Sequence, residues 1–346
     1  MKSLVIYFLL FTLAIFVAQR KAIAQKTDTI IHINGDVLTG DFKKMVYGVA
    51  TWKMEGMGTI SMEEPKINTI RSNKLFEIKM QDGFIYFGSF DTSSVPRMVN
   101  IVVTNGRNLV HLEDIVEIYP LRNSFWLRTS GNFSLGANFS KGSNVGTISF
   151  SGNLDYRKRR SYWDLSWDDN NTYQGDSLSS SKSDVSLAWQ RLLKNQWSTQ
   201  VEVGASQNTE LGTRLRLDLN ITGLKDISYN NWNRLYTGAG LSVARETPYD
   251  ESGEKNDLAG LVQIVWKVFK YSDPKVWVDA NVSVFPYITG GERYRTILNL
   301  NPKVSLFSDN FKVGFKFYYN YDSKPSTAEA SKLDYGINLE LTYSFH

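Results

Sequence analysis

From Phe125 to its end, the chain alternates apolar and polar residues in one segment after another. The last segment is the most regular. Leu333, Tyr335, Ile337, Leu339, Leu341, Tyr343 and Phe345 fall on one face, and Asp334, Gly336, Asn338, Glu340, Thr342 and Ser344 on the other. A period of two is that of a β-strand. The same pattern sets Leu127, Thr129, Gly131, Phe133 and Leu135 against Arg128, Ser130, Asn132 and Ser134, and Val276, Val278, Ala280 and Val282 against Asp279, Asn281 and Ser283. Marking these runs predicts about twelve strands, near 125–141, 144–157, 160–173, 182–192, 196–206, 212–223, 232–245, 257–269, 275–286, 292–306, 309–322 and 331–345. Each reaches the roughly 9–11 residues that cross a bilayer as a strand. The expected fold is all-β: an antiparallel transmembrane β-barrel over 122–346, apolar outside and polar inside.

Three further features fit that reading. An even strand count returns both ends of the barrel to one side. The connections Asp168 to Lys182, Glu246 to Asp257 and Ser323 to Ser331 read as long outer loops, whereas Arg157–Arg160, Leu193–Gln196 and Ser308–Asn310 read as tight turns on the periplasmic side. Trp126, Trp163, Trp189, Trp197, Trp232, Trp266 and Trp277 all lie near the predicted turn ends, as an interfacial girdle would. A soluble sandwich or an extracellular adhesin also alternates. Neither needs apolar residues facing outward all around the sheet.

Residues 25–121 carry a different signal, an internal repeat. Asn34-Gly35-Asp36-Val37-Leu38-Thr39-Gly40-Asp41-Phe42 aligns with Asp82-Gly83-Phe84-Ile85-Tyr86-Phe87-Gly88-Ser89-Phe90 at an offset of 48, which also carries Gly58 onto Gly106, Ile67 onto Ile115 and Ile70 onto Ile118. Asn-Gly and Asp-Gly steps between alternating runs mark hairpins. The prediction is a small duplicated SH3/Sm-like β domain, placed in the periplasm and suited to an interaction role. His32 and His111 are isolated on predicted strands and read as ordinary strand histidines.

Ahead of this domain, Leu4 to Ala18 is an apolar run behind Lys2, and Ala22-Ile23-Ala24 offers a small-x-small cleavage site. Residues 1–24 therefore read as a secretory signal peptide, the run being shorter than the roughly 20 residues of a spanning helix. The chain has no cysteine, which excludes disulfides, thiolate metal sites and a lipid anchor on Cys. Its formal charge is +4, but Lys2, Arg20 and Lys21 belong to the leader, leaving about +1 for the rest. Near neutrality argues against a nucleic-acid partner.

Charges on the polar face cannot sit in lipid, so they should line the lumen. The candidates are Arg128, Asp164, Glu202, Arg214, Arg216, Arg234, Asp279, Arg295, Lys316 and Glu340, within a wider set of acids and bases. Either they pair and plug the barrel, or they border a narrow path that selects small solutes. At twelve strands the lumen lies between filled eight-stranded barrels and open porins. Enzymatic barrels mostly use a histidine base. Past residue 121 the only histidine is His346, so no enzyme, cofactor or metal site is expected. Asp168-Asp169-Asn170-Asn171 and Asp250-Glu251 read as solvated loop acids. Expected partners are outer-membrane lipid, a small solute, and the barrel assembly machinery, which would engage the strand bearing Tyr343 and Phe345. The alternative role is binding of a ligand by the long outer loops and the N-terminal repeats.

A leader, an Asn-Gly-Asp-x-Leu-Thr-Gly motif at Asn34 to Gly40, and about 220 residues of barrel closing on an aromatic strand together resemble a family of bacterial proteins. It is described as salt-induced outer-membrane proteins, a domain family of unknown function. The resemblance implies an outer-membrane barrel and carries over no functional residues. His346 departs from it, since such barrels more often end on the aromatic itself.

Overall fold

A computed structural model describes residues 28–345 apart from positions 55, 122–124, 126–127, 143, 176, 251–252, 271–273, 290, 309, 326 and 328–329. The leader, Trp126 and His346 lie outside the described residues. The N-terminal strands are β1 (Asp28–His32), β2 (Val37–Val46), β3 (Val49–Met54), β4 (Gly58–Glu63), β5 (Ile67–Met80), β6 (Ile85–Thr92), β7 (Met98–Val103), β8 (Gly106–His111) and β9 (Ile115–Pro120). They form one sheet in the order β4-β3-β2-β1-β5-β6-β7-β8, with β9 pairing both β2 and β5.

The repeat recurs in the backbone, apart from a register shift between Phe42 and Lys44 that the second unit lacks. A 3-10 turn precedes the last strand of each unit, at Glu64–Lys66 and Leu112–Asp114, 48 residues apart. The register pair Ile30↔Ile70 recurs as Ile78↔Ile118, and Ile30↔Leu38 as Ile78↔Tyr86. Both hairpins close in the same way, with His32 N–H donating to the Asp36 carbonyl at 2.9 Å and Met80 N–H to the Phe84 carbonyl at 2.8 Å. Gly35 and Gly83 take φ of 91° and 85° at these turns, where a side chain would be strained. The inward residues of both units build one core around Phe42, Trp52, Phe76 and Phe90, with Phe42 and Phe76 edge to face at 5.5 Å. β5 serves both units: its first half pairs with β1, and its second half pairs with β6 and β9.

The barrel follows as β10 (Thr129–Ser140), β11 (Val145–Lys158), β12 (Ser161–Gln174), β13 (Ser177–Leu192), β14 (Trp197–Asn208), β15 (Thr213–Tyr229), β16 (Asn233–Pro248), β17 (Lys255–Lys270), β18 (Val276–Pro286), β19 (Tyr294–Ser308), β20 (Phe311–Asp322) and β21 (Leu333–Phe345). Consecutive strands pair antiparallel, and β21 pairs with β10 to close the ring. Its burial is inverted relative to a soluble domain. Phe139, Tyr335, Ile337, Leu341, Leu217 and Ile264 are exposed, whereas Ser134, Asn220, Asn338, Glu340 and Thr342 are buried inside. Closure leaves no unpaired edge, and the apolar faces form an outward band, the arrangement of an outer-membrane barrel. At the closing seam Tyr343 lies between Phe133 and Phe311, ring centroids 5.5 and 5.0 Å away.

Two expectations are corrected here. Asp168 to Lys182 is not a loop: β12 runs to Gln174 and β13 begins at Ser177, so Asp168, Asp169 and Asn170 are strand residues. The Ser-rich start of β13 is polar on both faces, which hides its period. Trp277 sits at the predicted end of the barrel but not in the girdle. Parity with Asp279 turns it inward, where the Lys312 ammonium lies 4.3 Å from its ring centroid. Trp163, Trp197, Trp232 and Trp266 are exposed, as a girdle requires.

Candidate functional site

The N-terminal domain is docked on the barrel mouth that carries the tight turns, and it acts there as a cap. Alternation along β5 and β9 sends Phe76, Ile78 and Ile118 into the cap core, while Glu77, Lys79, Glu117 and Tyr119 point to the barrel; Ile115 joins the core across a register shift between Lys79 and Met80. These polar groups are buried, and each meets a partner from the barrel rim. Arg157 donates to Glu77 at 2.7 Å and to Glu117 at 3.1 Å, and its guanidinium lies 3.9 Å from the Tyr119 ring centroid. The Tyr229 hydroxyl donates to the other oxygen of Glu117. Lys79 pairs with Asp226 at 3.1 Å, and Asp226 accepts from Arg234 at 3.0 Å. Around this core Tyr47 stacks on Phe269 at 3.6 Å, and Asn231 donates to the Glu113 carbonyl at 3.3 Å.

Burial acts on both signs of this latch. For Glu117 burial would raise the carboxyl, but Arg157, Lys79 and Arg234 outweigh it and hold it at about 2. Burial lowers the Lys79 ammonium, with Arg234 adding to the drop and Glu117 and Asp226 opposing it. A buried charge without its partner is costly, so the latch works as a set.

Beneath the cap lies a cavity of about 1850 Å³ bordered by inner side chains of the barrel and by β2, β3, β5 and β9 of the cap. That is larger than the roughly 300–1,000 Å³ that encloses a drug-sized ligand. Among its described lining residues, Lys and Arg are nearly twice as frequent as Asp and Glu. At the far end the interior narrows on a second ionic cluster. Arg293, from the turn between β18 and β19, donates to Asp257 at 3.0 Å, to Glu246 at 3.1 Å and to Asp322 at 3.0 and 2.6 Å. Arg216 joins it through Glu246 at 3.1 Å and the Tyr287 hydroxyl at 3.0 Å. Beside this cluster Asn208 donates to Asp334 at 2.8 Å, linking β14 to β21, and Ser331 N–H donates to the Glu210 carbonyl at 3.0 Å. The segment joining β20 to β21 therefore reaches across the mouth.

Of the residues singled out from sequence, Arg128, Asp164, Glu202, Arg216, Arg234, Asp279, Arg295 and Lys316 border the cavity. Lys316 crosses it to pair with Asp168. Glu340 points inward but is packed in the wall, 3.8 Å from Lys303. Arg214 is a correction. It falls on a bulge between Thr213 and Leu215, where the register slips, and its side chain is exposed instead of facing the lumen. Sequence reasoning passed over Arg157, Glu77, Glu117 and Arg293. The run Arg157-Lys158-Arg159-Arg160 was the available signal, four cations on one tight turn that call for a counter-charge.

A family described as "Protein of unknown function, DUF481" matches residues 133–345. No curated protein matches the chain. Among solved structures, the NanC porin is similar with a TM-score of 0.41 and 8% identity over 62% of this chain and 99% of that one. The β domain of the Bordetella autotransporter BrkA has a TM-score of 0.34 and 11% identity over 63% and 98% of the two chains. The translocator domain of the autotransporter NalP from Neisseria meningitidis has a TM-score of 0.34 and 10% identity over 63% and 87%.

Proposed function

This chain belongs to the DUF481 family of proteins of unknown function, and we propose that it is an outer-membrane barrel that admits a small polar solute to a lumen gated at both ends. The cap lies on the periplasmic side in this reading, and the cluster around Arg293 on the outer side. The observation that carries it is the cavity of about 1850 Å³ between the two closures. A barrel serving only as an envelope strut gains nothing from a polar interior of that size, whereas a path for solutes needs one that is charged and wet. The role is non-enzymatic and needs no cofactor. Lipid contacts the apolar band, and the seam strand with Tyr343 offers the assembly machinery its aromatic side.

Planar bilayer recording of the purified full chain tests the reading. Small, intermittent unit currents are expected, with ion preference altered by Arg216→Glu and by Arg295→Glu, both of which border the cavity. A bilayer that stays silent under all applied voltages, with folded protein inserted, would favour a closed structural role and sink the pathway. Membrane fractionation tests the location, since the chain should partition with outer membranes and show heat-modifiable mobility.

A further inference from the structure

Basic residues outnumber acids in the cavity lining, but many of them are already answered. Lys43 pairs with Asp41, Lys267 with Asp279, Lys303 with Glu340 and Lys316 with Asp168, while Arg157 is held by the cap. One stretch of acidic wall is not. Among the described residues, no Lys or Arg forms an ion pair with Asp164 of β12, Glu202 of β14 or Asp218 of β15, all of which border the cavity. Arg216, next along β15 on the same face, donates instead to Glu246 and Tyr287. Asp155 of β11 shares the Asn153 amide with Asp164, but it also attracts Lys44 and Lys267, so the stretch begins at Asp164.

Glu202 is the centre of this wall. The charges that act on it most are Asp218 and Asp164, both of its own sign. Its donors are two amides, Gln200 at 3.0 Å and Asn220 at 3.2 Å. The Asn220 amide also donates to Asp218 at 2.9 Å, while its buried carbonyl oxygen has no donor. Ser242, the register partner of Asn220 on β16, borders the cavity, is 1% exposed, and has a hydroxyl with no partner either. Like charges this close, beside buried oxygens left without donors, are unfavourable unless a cation bearing N–H groups comes to them.

Register leaves room for it. Ala188 stands opposite both Asp164 and Glu202, and Gly204 opposite Asp218. A Cβ on Gly204 would lie 2.9 Å from an Asp218 carboxylate oxygen. A strand spacing of about 4.8 Å sets Asp164 and Glu202, two strands apart, roughly 10 Å from each other along the wall. Among the described residues no three such groups lie together as a metal ion requires. The spacing suits linked ammoniums instead of one compact ion.

We propose that the wall of β12, β14 and β15 binds a small linear polyamine, its ammoniums taken by Asp164, Glu202 and Asp218 and its N–H groups shared with Asn220 and Ser242. The inference rests on the reading of the lumen as a solute path and names the class of solute.

Calorimetric titration of the full chain in non-ionic detergent, with spermidine as the ligand, tests it. Saturable binding is expected, weakened at least about ten-fold by Glu202→Gln and falling steeply as salt rises. Asp218→Asn supplies a second charge removal should Glu202→Gln fail to give a heat-modifiable barrel. Glu254→Gln removes the same charge from an exposed pair with Arg245 and should bind as the native chain does. Absence of saturable binding, or an equal loss in Glu254→Gln, would overturn the site. Magnesium separates a metal ion from a polyamine, because displacement of spermidine by an equal concentration of magnesium would also overturn it. Spermidine binding with a silent bilayer would sink the pathway and leave the site. Currents without spermidine binding would do the reverse.

Discussion

Arg157 and Glu117 decide whether the cap stays on the barrel. Glu117 has its carboxyl held at about 2, against an ordinary 4.5, because folding surrounds it with Arg157, Lys79 and Arg234. A carboxyl lowered on docking stabilises the docked state above its free value and loses that contribution as pH falls through the docked one. Cap docking should thus weaken from about pH 4.5 down toward 2, read as loss of amide-exchange protection in β9. Glu117→Gln should cost docking about 3–5 kcal/mol at neutral pH, because Arg157 and Lys79 stay buried with less compensation. Retained protection in that variant would refute the latch. Arg293→Ala takes the arginine from Asp257 and Asp322 at the far mouth, Glu246 keeping Arg216, and should enlarge unit currents and favour cations, which bilayer reversal potentials would show. None of this pairing was legible in the sequence, since Glu77, Lys79 and Glu117 alternate with apolar residues as any solvated strand face does. That their polar face meets a barrel depends on residues 40 to 150 positions away.

At the scale of elements, the strands were the legible part, and the reason is solvent. An apolar outer face imposed by lipid leaves a period of two that survives in each segment, so the predicted 275–286, 309–322 and 331–345 fall within about two residues of β18, β20 and β21. Where strands need not meet lipid the signal fails, as at Ser177–Ser183, which is polar but for Leu178. The Arg214 bulge misled for the same reason, because one extra residue reverses the faces. Close approach between strands also went unseen. In β16 a Cβ on Gly240 would fall against the Ile221 carbonyl and within 2.8 Å of Thr222 Cα. Gly240→Ala should therefore cost at least about 1–3 kcal/mol, measured as a lower temperature for loss of the compact gel band. An unchanged transition would show that β15 and β16 can part to admit a methyl.

At the scale of the molecule, the duplication and the barrel were separately readable, but their union was not. The absence of cysteine makes that union easy to probe. Glu113→Cys with Asn231→Cys places one thiol on each side of the interface, where Asn231 now donates to the Glu113 carbonyl. A short bismaleimide should join them in high yield in membranes, less so after Arg157→Ala, and mass spectrometry would identify the bridge. Failure to join would show that the cap does not sit on this barrel rim. The dual service of β5 carries a further meaning for ancestry and engineering. Because one continuous strand ends the first unit and begins the second, neither unit can be excised without taking a strand from its neighbour. The pair should be transplanted only whole, since a gene fragment encoding half of it would yield a sheet one strand short.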